Sequence, residues 1–344
     1  MVVRACLILL LALVSCSSSR ADGPPAGRAF YYWRTTFALS PAERGAIGEL
    51  HVSRLYVRMF DVDWSEGGPS LLGKIEPRLG DDSRLPDGVE IVPVVFLRDE
   101  VFRHVDTKNT GALARLVWGE VQQRAKLLGF VPRELQVDCD WTESTRAAFF
   151  EYVRQLRATA HVSLSATIRL HQVKYRERTG VPPVDRGMLM FYNMGKFSAD
   201  PEARAIFDAA SAELYLERVA SYPLPLDVAL PIWAWTVQLR DDRAVGLLQS
   251  TDPDELPAID FLSRAGPDRF VATRTAFLHG TLLREGDMLK IERMGAAETR
   301  AAADMIAPRL ASIPTRTVSL FDLSERNLTR HGLDQLDLVF RAVH

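Results

Sequence analysis

The run Leu135-Gln136-Val137-Asp138-Cys139-Asp140-Trp141 carries two acids at alternate positions of an otherwise apolar stretch. Read as a strand, it puts Asp138 and Asp140 on one face, with roots roughly 6–7 Å apart at the β-strand rise of about 3.3 Å per residue. Burying such charges costs several kcal/mol each unless a partner or a function compensates. Two readings follow. The pair is either an internal ion pair with a nearby Arg, or a catalytic or sugar-binding pair at the mouth of a parallel barrel. Cys139 faces the other way by strand parity and reads as packing.

Similar residues collect at the ends of other apolar runs. Trp33 and Arg34 close the first, Arg58 precedes Asp61 and Asp63 in the second, Arg169 and His171 close another, and Tyr192-Asn193, Trp233, Trp235 and Asp322 follow. Aromatic faces interleaved with acids, amides and Arg suit pyranose rings, whose CH faces stack while their hydroxyls take hydrogen bonds. Asp138 and Asp140 are therefore the candidate catalytic pair. Trp33, Arg34, Arg58, Asp61, Asp63, Arg169, Tyr192, Asn193, Trp233 and Trp235 are the candidate substrate-binding residues. Glycoside hydrolysis uses two carboxyl groups, about 5–5.5 Å apart for retention and roughly 6.5–9.5 Å for inversion. Asp138 with Asp140, or either with Asp61 or Asp63 across a barrel, is a candidate for such a spacing. Asp140 is expected nearest the mouth, with Asp138 tuning it or holding Arg58.

Plainer roles stand beside these. Arg58 and Arg169 would simply neutralise the aspartates, Asp61 and Asp63 would cap a turn, Asn193 would start one, and Trp233 with Trp235 would pack. His171 reads as a solvated loop residue. No His-x-His, His-Glu-x-x-His or Cys pair is present, and no Gly-x-Ser-x-Gly elbow. Neither a metal nor a cofactor is expected; a four-aspartate magnesium or calcium site from Asp61, Asp63, Asp138 and Asp140 is the weakest reading.

The elements that must hold these residues alternate along the chain. Apolar strand-like runs fall at 30–34, 54–60, 91–97, 135–140, 161–170, 187–192, 227–235 and 317–323, with helical patterns at 110–128, 144–159, 201–215 and 296–310. Ser40-Pro41-Ala42-Glu43 opens a further helix with a capping box. This alternation predicts an α/β fold with a parallel sheet. Eight strands without a Gly-rich phosphate fingerprint favour a closed (β/α)8 TIM-type barrel, whose active site sits at the C-terminal ends of the strands. A turn-rich interval around 270–292 predicts a β-hairpin inserted before the last strand.

The chain has 344 residues, 47% of them hydrophobic, and 42 basic against 44 acidic side chains for a net charge of −2. That balance leaves no electrostatic footprint for nucleic acid. Arg4 and the apolar run Cys6 to Val14, too short to span a bilayer, read as a signal peptide. The run ends in Leu13-Val14-Ser15-Cys16, which resembles a bacterial lipobox with Cys16 as the lipidated residue. Residues 1–16 are then the lipoprotein signal peptide, 17–27 a flexible tether and 28–344 a single barrel domain. In a Gram-negative cell, Ser17 rather than Asp after the Cys points to the outer membrane, with the lipid as the only expected membrane link. Cys139 is the only Cys left in the mature domain, which precludes an intrachain disulfide.

Four stretches carry a resemblance to bacterial proteins grouped as domain of unknown function 3142: Tyr31-Tyr32-Trp33-Arg34, 55–63, 136–142 and Phe191-Tyr192-Asn193-Met194-Gly195, with Leu320-Phe321-Asp322-Leu323 adding to them. More distantly, the chain resembles family 18 glycoside hydrolases of the chitinase type, whose fourth strand ends in Asp-x-x-Asp-x-Asp-x-Glu. Aligned on Trp141, Asp138 and Asp140 take the last two Asp positions, Leu135 the first, and Thr142 the place of the catalytic Glu. Met190-Phe191-Tyr192-Asn193 echoes that family's sixth-strand Met-x-Tyr-Asp. The resemblance implies a barrel with a carbohydrate site and a departure at its defining acid. The leading expectation is a glycoside-hydrolase-like envelope lipoprotein acting on a polysaccharide or oligosaccharide with aspartate acid/base residues. The alternative is a non-catalytic glycan-binding or envelope-scaffold protein on a degenerate barrel.

Overall fold

The computed structural model describes residues 26–343 apart from 196, 201–202, 249–250 and 314–315. The expected signal peptide, Cys16 and most of the tether lie outside the described residues. Eight strands run parallel: β1 Gly27–Tyr32, β2 Arg54–Ser65, β3 Glu90–Leu97, β4 Glu134–Asp138, β5 Ser163–Arg169, β6 Arg186–Met190, β7 Leu226–Pro231 and β8 Thr317–Phe321. Each pairs with the next, and β1 pairs with both β2 and β8, so the sheet closes into a (β/α)8 barrel.

The closed sheet sorts side chains by parity. On β4, Leu135 and Val137 point outward into the main core beneath the helices, as does Cys139 just past its end. Gln136 points inward, where it accepts a hydrogen bond from the Tyr31 hydroxyl at 2.5 Å. Ala29, Tyr31, Tyr56, Val92, Val94, Met188, Met190 and Ala229 fill the barrel interior as a separate cluster. The outer helices include Pro41–Glu49, Thr110–Leu128, Arg146–Ala160, Ala296–Leu310 and Leu333–Ala342. The first has the expected capping box, Ser40 and Glu43 each bonding the other's backbone N–H. Before β7 the helix runs from Ala209 to Leu216, capped by Asp208 through the Ser211 N–H at 2.7 Å; the expected start at 201 lies outside the described residues. None of the described helices is long and apolar enough to cross a membrane.

Two features enlarge the mouth beyond what the sequence suggested. β2 overruns the barrel rim to Ser65 and returns as the antiparallel strand Gly68–Leu72. Glu66 and Gly67 both take positive φ, as a tight two-residue hairpin turn requires. Asp61 and Asp63 therefore stand on an overhanging hairpin. Between β7 and β8 the ends of the expected hairpin join a five-stranded antiparallel sheet, in the order Arg243–Leu247, Ala234–Arg240, Met288–Arg293, Arg269–Ala272, Leu262–Gly266, while Ala276–Leu278 and Thr281–Leu283 pair as a separate two-stranded hairpin. This inserted sheet has its own core around Leu256, Phe270, Leu283 and Leu289. β7 ends at Pro231, so Trp235 belongs to the insertion and not to the seventh barrel strand.

Candidate functional site

Asp138 ends β4 and points into the mouth, 4% exposed. The Thr167 hydroxyl on neighbouring β5 donates to its Oδ1 at 2.6 Å, and Arg169 Nη2 lies 3.9 Å from the same oxygen. Burial pushes its carboxyl up to about 6; Arg169 opposes that rise and the charge of Asp140 adds to it. Asp140 lies just past the strand end, and its side chain is half exposed. It accepts from Arg169 Nε through Oδ1, while Arg169 Nη2 is 3.4 Å from Oδ2. Arg169, at the end of β5, thus holds both aspartates. The expectation that Asp138 holds Arg58 is corrected: its cationic neighbour is Arg169, because Arg58 turns toward the rim to Asp61.

Arg58 makes a two-pronged contact with Asp61, at 2.8 and 2.6 Å. Asp63 sits 3.4 Å from Arg98 and accepts from the Trp64 backbone N–H at 2.8 Å. The hairpin acids are thereby paired on their own side of the rim. Among the described residues, no group of three or more Asp, Glu, His or Cys side chains is placed to hold a metal ion. The four-aspartate metal site is therefore not formed there. Arg34 is directed away from the acids as well: it lies 4.2 Å over the Tyr32 ring and donates to both oxygens of buried Glu43 at 2.9 Å. It fastens the loop after β1 to the first helix.

The aromatic residues converge. Phe321, at the end of β8, has ring centroids of Trp33 and Trp233 at 5.3 Å each and Tyr192 at 5.7 Å. Trp233 meets Tyr192 edge-on at 4.8 Å and Trp235 at 6.0 Å. Arg58 lies 6.0 Å over Trp33, and Arg169 is 6.0 Å from the Tyr192 ring. Tyr192 itself is nearly buried, which raises its hydroxyl well above the usual range. Trp33, Trp233 and Trp235 remain partly exposed. Asn193 adopts positive φ, donates its N–H to Ile206 O at 2.7 Å and exposes its side chain at the start of the β6 loop. Two residues on, Gly195 passes so close to the Arg204 carbonyl that a Cβ would sit 2.2 Å from its oxygen. Only glycine fits there.

The segment where the resemblance implies a catalytic Glu is filled otherwise. Trp141 is fully buried, stacked on Phe149 at 5.0 Å with its indole N–H donating to Thr179 O at 2.9 Å, on the helix side of the sheet. Thr142 donates its N–H to Thr145 Oγ1 at 2.9 Å, in the turn that leads into the helix Arg146–Ala160. Glu143 is paired with Arg178 at 2.8 Å, with both side chains exposed. Thr167 and buried Gln172, whose amide donates to Trp141 O at 3.1 Å and accepts from the Arg169 N–H at 2.8 Å, join the site unexpectedly, as does Phe321 in its role at the centre of the rings. Strand parity from Arg169 would have found Thr167, two residues before it.

Among solved structures, the spore cortex-lytic enzyme SleL of Bacillus cereus superposes with a TM-score of 0.54 at 12% identity, over 92% of this chain and 75% of that one. The chitinase-like agglutinin RobpsCRA of Robinia pseudoacacia gives 0.51 at 14%, over 92% and 99%. An immunomodulatory active chitinase from Trichuris suis gives 0.51 at 9%, over 92% and 99%. The barrel is chitinase-like in fold. At such identities the likeness is one of fold alone. No family model matches the chain, and no curated protein matches it in sequence.

Proposed function

We propose that the mouth of this glycoside-hydrolase-like barrel binds a saccharide chain without cleaving it, on a lipoprotein anchored at the cell envelope through Cys16. The observation that carries the reading is Arg169 holding both aspartates, and it is supported by Thr142 at the position that the resemblance to family 18 hydrolases gives to their acid. A general acid must reach the glycosidic oxygen with a proton to give. Asp140, the exposed carboxyl, accepts from a guanidinium instead of donating. Asp138 is shielded beneath it. Partly exposed Trp33 and Trp233 around Phe321, with Trp235 against Trp233, supply apolar faces for sugar rings, and Arg169 with Asp140 supplies hydrogen bonds to hydroxyls. Chitinase-like barrels include an agglutinin as well as enzymes, so the fold accommodates this role.

A glycan array probed with the chain lacking residues 1–16, beside Asp138→Asn and Asp140→Asn, tests the reading. Binding by the parent and weakened binding by the Asp140 variant support it; binding to no glycan overturns it. Loss of lipid labelling in Cys16→Ser tests the anchor, and outer-membrane placement rests on Ser17. Membership of the domain of unknown function 3142 group belongs to the same proposal, on the four stretches quoted above.

A second reading, hydrolysis, has one observation in its favour. A carboxyl pushed up to about 6 is in the range of a working acid. It requires Arg169 to release the pair and substrate to reach Asp138. Reducing ends released from a bound glycan, and lost with Asp138→Asn, would establish it.

A further inference from the structure

We infer that Lys290 and Glu292 are positioning residues, a buried pair on the inserted sheet that sets the β6 loop and the Trp235 indole together as one wall of the mouth. The inference rests on the proposed binding role for its meaning, though not for its test.

Both residues lie on the strand Met288–Arg293. Strand alternation sends Leu289 and Ile291 into the insertion's own core and puts Lys290 and Glu292 on the opposite face. A charged pair there adds nothing to that core. Their side chains are nevertheless only 3% and 2% exposed, and Nζ and Oε1 lie 3.1 Å apart. Burying an ammonium is costly unless its donors are satisfied. Lys290 satisfies them on backbone: Nζ donates to Ser198 O at 3.2 Å, Asp200 O at 2.9 Å and Ala203 O at 2.7 Å. All three carbonyls belong to the loop that leaves β6 after Tyr192. Arg269, on the adjacent strand, donates to Ala199 O in the same loop.

Glu292 completes the arrangement from its other oxygen. Oε2 accepts the Ala205 N–H at 2.9 Å and the Trp235 indole N–H at 3.2 Å, and Trp235 is its register partner across the sheet. One carboxylate thus fixes the far end of the loop and the orientation of an aromatic residue. The loop returns a ring of its own, Phe197, whose centroid is 5.2 Å from Trp235. From Trp235 the contacts continue to Trp233, Tyr192 and Arg169, so the clamp abuts the group that holds Asp138 and Asp140. Neither residue has an element of the barrel as its direct partner among these contacts. Their shared object is the wall.

Hydrogen exchange and ¹⁵N-indole NMR on the full chain test this. Lys290→Met is expected to speed amide exchange at Ala205 and its neighbours at least tenfold and to shift the Trp235 indole resonance. Amides of β4 and β5 should stay within twofold. Lys290→Arg, which keeps the charge and the donors, should recover part of the protection. Glu292→Gln keeps an acceptor for Trp235 and should move the indole resonance less than Glu292→Leu. Unchanged loop exchange and an unchanged indole signal in Lys290→Met and Glu292→Leu would overturn the inference, as would loss of protection spread evenly over the barrel. If Lys290→Met does not fold, the Glu292→Gln and Glu292→Leu pair decides by the same readouts. Failure of the glycan array leaves these readouts intact and removes only the binding role.

Discussion

Glu134 and Asp138 stand at opposite ends of β4, on the same inward face, and their surroundings are alike up to a point. Each accepts from a β5 hydroxyl, Ser165 at 2.5 Å and Thr167 at 2.6 Å. Each has an Arg nearby, Arg54 at 3.5 Å and Arg169 at 3.9 Å, and burial raises both carboxyls above their ordinary range. Beyond that they part. Glu134 borders a cavity of about 380 Å³ at the barrel base, lined mainly by charged groups such as Arg54, Glu90, Arg186 and Arg316 and by no aromatic residue. Asp138 lies beside Tyr192, whose ring belongs to the aromatic group at the mouth. A perturbed acid is therefore not by itself a site. In such barrels the N-terminal end serves stability and the C-terminal end serves chemistry. Each Arg also holds a second, more exposed carboxylate, Glu90 on Arg54 and Asp140 on Arg169, so the aromatic floor is what separates the two.

That contrast breaks most visibly at the base. Arg54→Met leaves Glu134 buried without its cation, and removing one partner of such a pair costs roughly 3–5 kcal/mol. Urea unfolding at pH 7 should show that loss, while glycan affinity at the mouth stays at the parent value.

Asp138 supplies the next largest effect, through pH. Its folded-state carboxyl is near 6 against an ordinary 3.8, so between those values the folded chain holds a proton that the unfolded chain has lost. Stability contributed by that proton is fully present below about pH 3.8 and is lost as pH rises through about 6, by up to about 3 kcal/mol. Asp138→Asn removes the slope. Relative to the parent, its unfolding free energy should gain by up to that amount between pH 4 and pH 7, measured by urea titration at each pH.

Smaller changes sharpen the comparison. Trp233→Ala removes the ring between Tyr192, Trp235 and Phe321 and should weaken glycan binding about tenfold, equivalent to ~1.4 kcal/mol, as read by calorimetry. Glu134→Gln should leave that affinity within twofold. An equal loss from Glu134→Gln would mean that the two ends of β4 are not functionally distinct.

The barrel was legible because eight buried apolar runs recur with helices between them, and the mouth because polar and aromatic residues gather where those runs end. Choices of partner were not legible. Arg58 and Arg169 look equivalent in sequence, but the overrun of β2 carries Asp61 to Arg58 and leaves Arg169 to the β4 pair. Arg34 faced a similar choice and went to Glu43 in the first helix. The inserted sheet was hidden because its central pairing joins Ala234–Arg240 to Met288–Arg293 across a long intervening segment. Local periodicity instead joined Trp235 to β7. Lys290 and Glu292 gave no signal, since an alternating Lys-Ile-Glu stretch reads as an ordinary solvated strand face.

We propose that Arg169 and Thr142 leave this mouth able to hold a saccharide and unable to cut it. The most direct test incubates the parent chain with the glycan it binds, from pH 4 to pH 8, and follows chain length and new reducing ends by mass spectrometry. The glycan should remain intact across the range. Cleavage by the parent that is abolished in Asp138→Asn or Asp140→Asn would contradict the account and make this barrel a hydrolase.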